Sequence, residues 1–256
     1  MIDIEKIIGL IRSIALNPCI GGFCSYREIF IRDNVRLNVE YLSSGTGVIV
    51  KKEKSTSLLI TFMDDPGCML LGDNMVCWFY EPKEFVNAEV LFYDYINDII
   101  CRAKVIAKDR KFTFINTEGK VLEVTSYSTT ITFYPNVAAR NSQIIGTNLI
   151  SLLPLSLAIN LCLSYNISLL LLNRGFPAPY SISIAIDEIK DELHDNIDYL
   201  LVVGGQEKLF SYIEPYVDVK RVKLIEIPLK YLGRGMWITE VEDLLRSINK
   251  MFELVD

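Results

Sequence analysis

Between Asn141 and Asn173 the chain carries no Asp, Glu, Lys or Arg. A run of that length has few homes. It can cross a bilayer, or it can lie where no face meets water, as in a parallel layer covered on both sides. Residues 144–163 are just long enough for a span. Against a span stand Asn148, Ser151, Ser156 and Asn160, which seek hydrogen-bond partners, and Pro154 in the middle. The run then passes into a strand-like stretch at 167–172, and helix–strand alternation continues beyond it. The expectation is a buried helix leading into a central strand. Membrane association through residues 144–163 is the lesser alternative.

The flanking pattern agrees. A short strand at 143–145 precedes a helix at 147–164. Strands then fall at 167–173, 199–203 and 222–227, with helices at 183–195 and 206–213 between them. Thr239 and Glu242 form a T-x-x-E capping box, followed by Val241, Leu244, Leu245, Ile248 and Phe252 on one face of a last helix. Strands alternating with helices of this length imply right-handed βαβ units.

Upstream the period changes. Ile4, Ile7, Ile8, Ile11, Ile14 and Ala15 make one face of a helix over 3–16, ended at Asn17-Pro18. From 27 to 135, short strands alternate with turn signals. The fold class read from this is α/β (α+β overall). Residues 1–138 form an N-terminal helix plus an antiparallel β-rich domain. Residues 139–256 form a C-terminal Rossmann-like parallel βαβ layer.

Composition narrows the function classes. With 26 basic against 32 acidic residues the net charge is -6, and no basic run is longer than two, so nucleic acid is not the expected partner. The one histidine, His194, sits in a charged helix end and reads as solvated, so no metal set is expected. None of the six cysteines forms a C-x-x-C pair. Cys19 and Cys24 are spaced for a loop disulfide or half a metal site, with buried free thiols the default. Two acids within the first five residues exclude a signal peptide, and a cytoplasmic location is expected. Two glutamines and abundant isoleucine point to a thermophile, although asparagine is plentiful.

In an open parallel sheet, ligands bind beyond the carboxyl ends of the strands, so the turns there are the candidates. Gly146, Thr147 and Asn148 open a helix whose N–H groups suit phosphate. Gly204 and Gly205 follow an apolar strand, where glycine lets backbone approach a ligand. Arg174, after the most apolar strand, and Arg234, between Gly233 and Gly235, are placed to meet an anion. Each also has a plain structural reading as a turn or surface loop. Asp64-Asp65 is an adjacent carboxylate pair able to hold Mg²⁺, but Pro-Gly follows and favours an ordinary turn.

The β-then-α/β order, with residues 144–148 at the entry and 201–205 at a later strand–glycine turn, resembles the ferredoxin-reductase-like flavoproteins in architecture. The Arg-x-Tyr-Ser flavin motif is missing. The functional expectation is a protein binding a nucleotide or other phosphate-bearing small molecule at the sheet's carboxyl edge. The alternative is a non-catalytic interaction or assembly module. A homo-oligomer is compatible with either, and no cofactor is named.

Overall fold

A computed structural model of the chain describes residues 4–20, 24–35, 37–72, 74–108, 111–173, 179–189, 197–204 and 221–255. The chain is mixed α/β, with three sheets among these residues. The first has the order β1 (Glu40–Tyr41), β2 (Gly47–Val50), β12 (Ser168–Leu172), β3 (Ser57–Phe62), β13 (Asp198–Gly204) and β14 (Val222–Ile227). Its last four strands run parallel, while β2 is antiparallel to β12 and β1 to β2.

This differs from the Rossmann-like layer expected of residues 139–256. The sheet is mixed, and its central strand β3 comes from the N-terminal half. Sequential βαβ logic failed here because β12 and β13 flank β3 and never pair with each other. The boundary at residue 138 therefore does not divide this sheet.

The second sheet is antiparallel, ordered β5 (Asn74–Trp78), β4 (Gly67–Leu71), β9 (Thr129–Phe133), β6 (Glu89–Asp94), β7 (Ile99–Lys108) and β8 (Lys111–Asn116). Alternation marked β5, β8 and β9 here, whereas β4, β6 and β7 were not legible by pattern. Residues 85–100, ambiguous by pattern, resolve into the short helix α3 (Pro82–Phe85), then β6 and the start of β7. Four more strands make an antiparallel third sheet, β10 (Val137–Arg140), β11 (Gln143–Thr147), β16 (Met236–Glu240) and β15 (Lys230–Gly233).

Helices cover the mixed sheet on both faces. α1 (Ile4–Ala15), α4 (Leu149–Ser164) and α6 (Val241–Val255) share one core with Leu59, Leu169, Leu200 and Val202. α5 (Pro179–Ile189) packs on the other face, with Ala185, Ile186 and Ile189 against Leu58, Ile60 and Leu170. The expected helix at 206–213 lies outside the described residues. The last helix begins at Val241, not after a Thr239 cap. Thr239 stays in β16, held by its pairing with Ile144.

α4 explains the charge-free run. Fourteen of its sixteen residues are buried, from Leu149 to Cys162. It lies between α1 and strands β3, β12 and β13, so no side offers water to a charge. No helix among the described residues is long and apolar enough to cross a membrane.

Pro154, inside α4, has no N–H to give the carbonyl four residues back, that of Ile150. Gly204 of β13 presses on that same carbonyl: a Cβ at Gly204 would lie 2.5 Å from the Ile150 oxygen. The Ile150 carbonyl and the Leu229 side chain occupy the space beside Gly204. Gly204→Ala is expected to lower stability by about 1–3 kcal/mol, read from urea unfolding. An unchanged midpoint would show that β13 has room to move away from α4.

Candidate functional site

The carboxyl ends of β3 and β12 lie side by side, and polar groups gather there. After Phe62 the chain leaves the sheet as Met63, Asp64 and Asp65. The Met63 N–H donates to the Leu172 carbonyl at 2.8 Å, and the Asp65 N–H to the Cys19 carbonyl at 2.6 Å. Both carboxylates are buried, Asp64 at 2 % and Asp65 at 1 % exposure. They do not form a surface turn, as Pro66-Gly67 had implied.

The partner of Asp65 is Arg27 on α2 (Ser25–Asp33), at 0 % exposure. Its Nη1 and Nη2 donate to the two Asp65 oxygens at 3.0 and 2.5 Å. Nε donates to the Asn17 carbonyl at 3.0 Å, Nη2 also to that of Ile14 at 3.3 Å, and Nη1 also to that of Met63. All five guanidinium donors are thereby used. Ser151, in the first turn of α4, donates to Asp65 at 3.4 Å. Burial pushes the Asp65 carboxyl up, and the Arg27 guanidinium opposes that push.

The sequence reading missed Arg27. The signal lay in its spacing: Arg27 and Ile31 are four apart and both buried, so the arginine occupies a core-facing position of α2.

A cavity of about 550 Å³ opens beside this cluster, lined by Cys24, Tyr26, Glu28, Tyr41, Gly47, Tyr93, Tyr95 and Asn173 among others. It lies between the mixed sheet and the antiparallel one. Tyr26 and Tyr93 meet edge to face, with ring centroids 5.3 Å apart. Asn173, just past β12, donates through Nδ2 to Glu28 at 3.4 Å and to the Gly45 carbonyl at 3.5 Å. Its Oδ1 is buried and has no hydrogen-bond partner among the described residues. Burial raises the Glu28 carboxyl above its ordinary range, partly offset by that Asn173 bond.

The residues singled out from sequence are dispersed. Gly146 and Thr147 end β11 in the third sheet, whereas Gly204 ends β13 in the first, so the two turns do not share one sheet edge. Thr147 donates to the Tyr134 carbonyl and accepts from the Asn136 N–H, tying a strand crossing together. Asn148 is the left-handed N-cap of α4. It accepts from the Tyr80 hydroxyl at 3.2 Å and donates to the Thr132 hydroxyl at 2.8 Å. Gly233, Arg234 and Gly235 form the β15–β16 turn, all at positive φ, with Gly235 against the Phe133 ring. Arg234 and Thr147 do meet, with Arg102, at a separate cavity of about 420 Å³. Arg174, Gly205 and His194 lie outside the described residues.

Two disulfides replace the free thiols expected at those positions: Cys19–Cys24, and Cys68–Cys77 across the β4–β5 pair. Cys101 and Cys162 remain free.

Solved structures share this fold along nearly the whole chain. An endoglucanase from Thermotoga maritima matches with a TM-score of 0.69 at 11% identity, covering 96% of each chain. An aminopeptidase from the archaeon Desulfurococcus kamchatkensis matches at 0.67 and 10% identity, over 98% of this chain and 94% of that one. The TET1 peptidase of Pyrococcus horikoshii, which assembles into a tetrahedron or a large octahedral shell, matches at 0.65 and 11% identity, over 97% and 99%. No protein-family profile matches the chain, and no curated protein does.

The fold is thus one used by aminopeptidases, and this overturns the nucleotide-binding expectation and the flavoprotein resemblance. The error came from treating the strands beyond residue 139 as a self-contained sheet.

Metal-assisted hydrolysis uses a cation held by His, Asp or Glu side chains, with a water in its open position. Among the described residues, the one set of three converging donors is Cys19, Cys24 and Asp64. Two of these share a disulfide, and the chain's single histidine is not described. An imidazole-and-carboxylate centre does not fit the described donors.

Two outcomes test the electrostatics. Arg27→Ala strands a buried carboxylate and is expected to cost about 3–5 kcal/mol, whereas Arg27→Met with Asp65→Leu should recover most of that. Equal unfolding midpoints for the single and double variants would contradict the pairing. For Glu28, the folded-state value lies above the ordinary 4.5. Its contribution is therefore fully present below that pH and is lost as pH rises through the folded value. Glu28→Gln should leave the melting temperature unchanged near pH 4 and raise it by a few degrees near pH 8.

Proposed function

We propose a peptidase-like function: the chain takes peptides into the cleft between the mixed and antiparallel sheets, and it works as a homo-oligomer. The observation that carries this reading is the end-to-end match of fold with several aminopeptidases, each covered over nearly its whole length. The self-assembly of the TET peptidases supports the oligomeric part.

The cleft's chemistry suits a peptide. Asn173 Oδ1 is an acceptor that lacks a partner among the described residues, and leaving such a group dry costs about 1–3 kcal/mol. A peptide N–H or terminal amine would satisfy it once the Asn173 side chain turns toward the cleft that the residue lines. Glu28, bonded to the same amide, supplies a carboxylate for an ammonium group. Tyr26, Tyr41, Tyr93 and Tyr95 offer apolar ring area with polar tips, suited to side chains of mixed character. The roles of these residues are binding and orientation.

The purified chain would be incubated with a mixed peptide library. Mass spectrometry would read peptides retained and peptides shortened, and light scattering would read assembly. Retention or shortening that falls about tenfold or more in Asn173→Ala supports the reading. A library neither retained nor shortened by the folded protein overturns it, and a monomer overturns the oligomeric part.

A further inference from the structure

Cys19, Cys24 and Asp64 have a second possible chemistry. We propose that the Cys19–Cys24 disulfide is one state of a redox-gated metal site, and that its reduction creates a two-thiolate, one-carboxylate site for a zinc-class divalent cation. This stands apart from the peptide reading and does not depend on it.

Geometry is the first support. One ligand atom from each of the three residues lies within 4.8 Å of the others, and all three residues are buried. A tetrahedral zinc with bonds of about 2.3 Å to sulfur and about 2.0 Å to oxygen spaces its ligand atoms roughly 3.5–3.8 Å apart. Cys24 Sγ already stands 4.0 Å from Asp64 Oδ1. Breaking the S–S bond moves the sulfurs toward ordinary nonbonded separation, close to the spacing a metal imposes. Three protein ligands then leave the fourth position to water.

Charge is the second. With both thiols ionised, two sulfur charges would join the Asp64 and Asp65 carboxylates beside the Arg27 guanidinium. Arg27 is already committed, with every donor bonded and two of them on Asp65. Adding buried negative charge is costly, and a dication offsets it.

Access is the third. Cys24, buried at 2 % exposure, is the one of the three that lines the 550 Å³ cleft, so reduction proceeds from that side through a local opening of the wall. Cys24 also precedes the first turn of α2 as its N-cap, where the helix dipole favours the thiolate. The balance is simple. Two thiol groups of a cellular thiol or dithiol reductant supply two electrons and two protons. The Cys19–Cys24 bond breaks to two thiols, and the reductant becomes a disulfide. On metal entry each thiol releases its proton to water.

The test uses the full chain, reduced with a phosphine, desalted without air, and titrated with cobalt(II) and then zinc(II). The reduced protein is expected to take up one cobalt per chain with thiolate-to-metal charge-transfer absorption, which zinc abolishes. The oxidised protein should show none. Asp64→Asn should weaken uptake by about tenfold or more, with its fold checked by circular dichroism. Cys68→Ser with Cys77→Ser should leave uptake intact, which separates the second disulfide. Absence of the charge-transfer band in the reduced, folded protein overturns the proposal. So does a band that survives unchanged in folded Cys19→Ser with Cys24→Ser.

Discussion

The Arg27–Asp65 pair is the joint on which the remaining arrangement depends. A guanidinium at 0 % exposure is stable only if each donor is matched, because an unpaired buried charge is far more costly than any packing it displaces. Here the five donors reach the end of α1, the loop before α2, the end of β3 and the Asp65 carboxylate. One side chain thus fixes the N-terminal helices against the carboxyl end of the mixed sheet's central strand. The placement of Cys24, Glu28 and the cleft wall follows, since all three ride on or beside α2.

A second polar chain does the same between sheets. Trp237 on β16 donates to Tyr80, Tyr80 to Asn148 at the head of α4, and Asn148 to Thr132 on β9. Thr132 in turn donates to the Pro66 carbonyl at 2.6 Å. Every sheet contributes to, or adjoins, this chain. Burial pushes the Tyr80 hydroxyl far above its ordinary range, so it stays a donor at any ordinary pH. The two networks meet at the first turn of α4, through Asn148 and Ser151. The apolar layers supply most of the burial, while these few polar atoms select which layer faces which.

What was legible in the sequence was local. The helix at α1 follows from residue periodicity, and strands such as β3 from short apolar runs between turn signals, which are local features even where the burying partner is distant. The charge-free run was read correctly as a buried helix, since Pro154 and four polar side chains disfavour lipid. Sheet order was not legible. β3 and β12 pair across more than a hundred residues, and nothing in an apolar five-residue strand names its neighbour. The site was hidden for a related reason: Arg27, Asp65 and Asn173 come from three distant segments, and each alone resembles an ordinary surface or turn residue.

Glycine shows how such readings mislead. Gly204 attracted attention as a place where backbone approaches a ligand and Gly235 as a flank of Arg234, and close approach is what both positions require. The approaching group is the protein itself: the Ile150 carbonyl at one, the Phe133 ring at the other. A glycine records that something is near without recording what. Asn173 is the opposite case. The sequence offered it only as the residue before Arg174, yet its Oδ1 is a buried acceptor, with its amide nitrogen already committed to Glu28 and Gly45. An unmet hydrogen-bond demand carries direction and polarity, which a glycine lacks. It therefore says more than a glycine does: the missing partner is a hydrogen-bond donor.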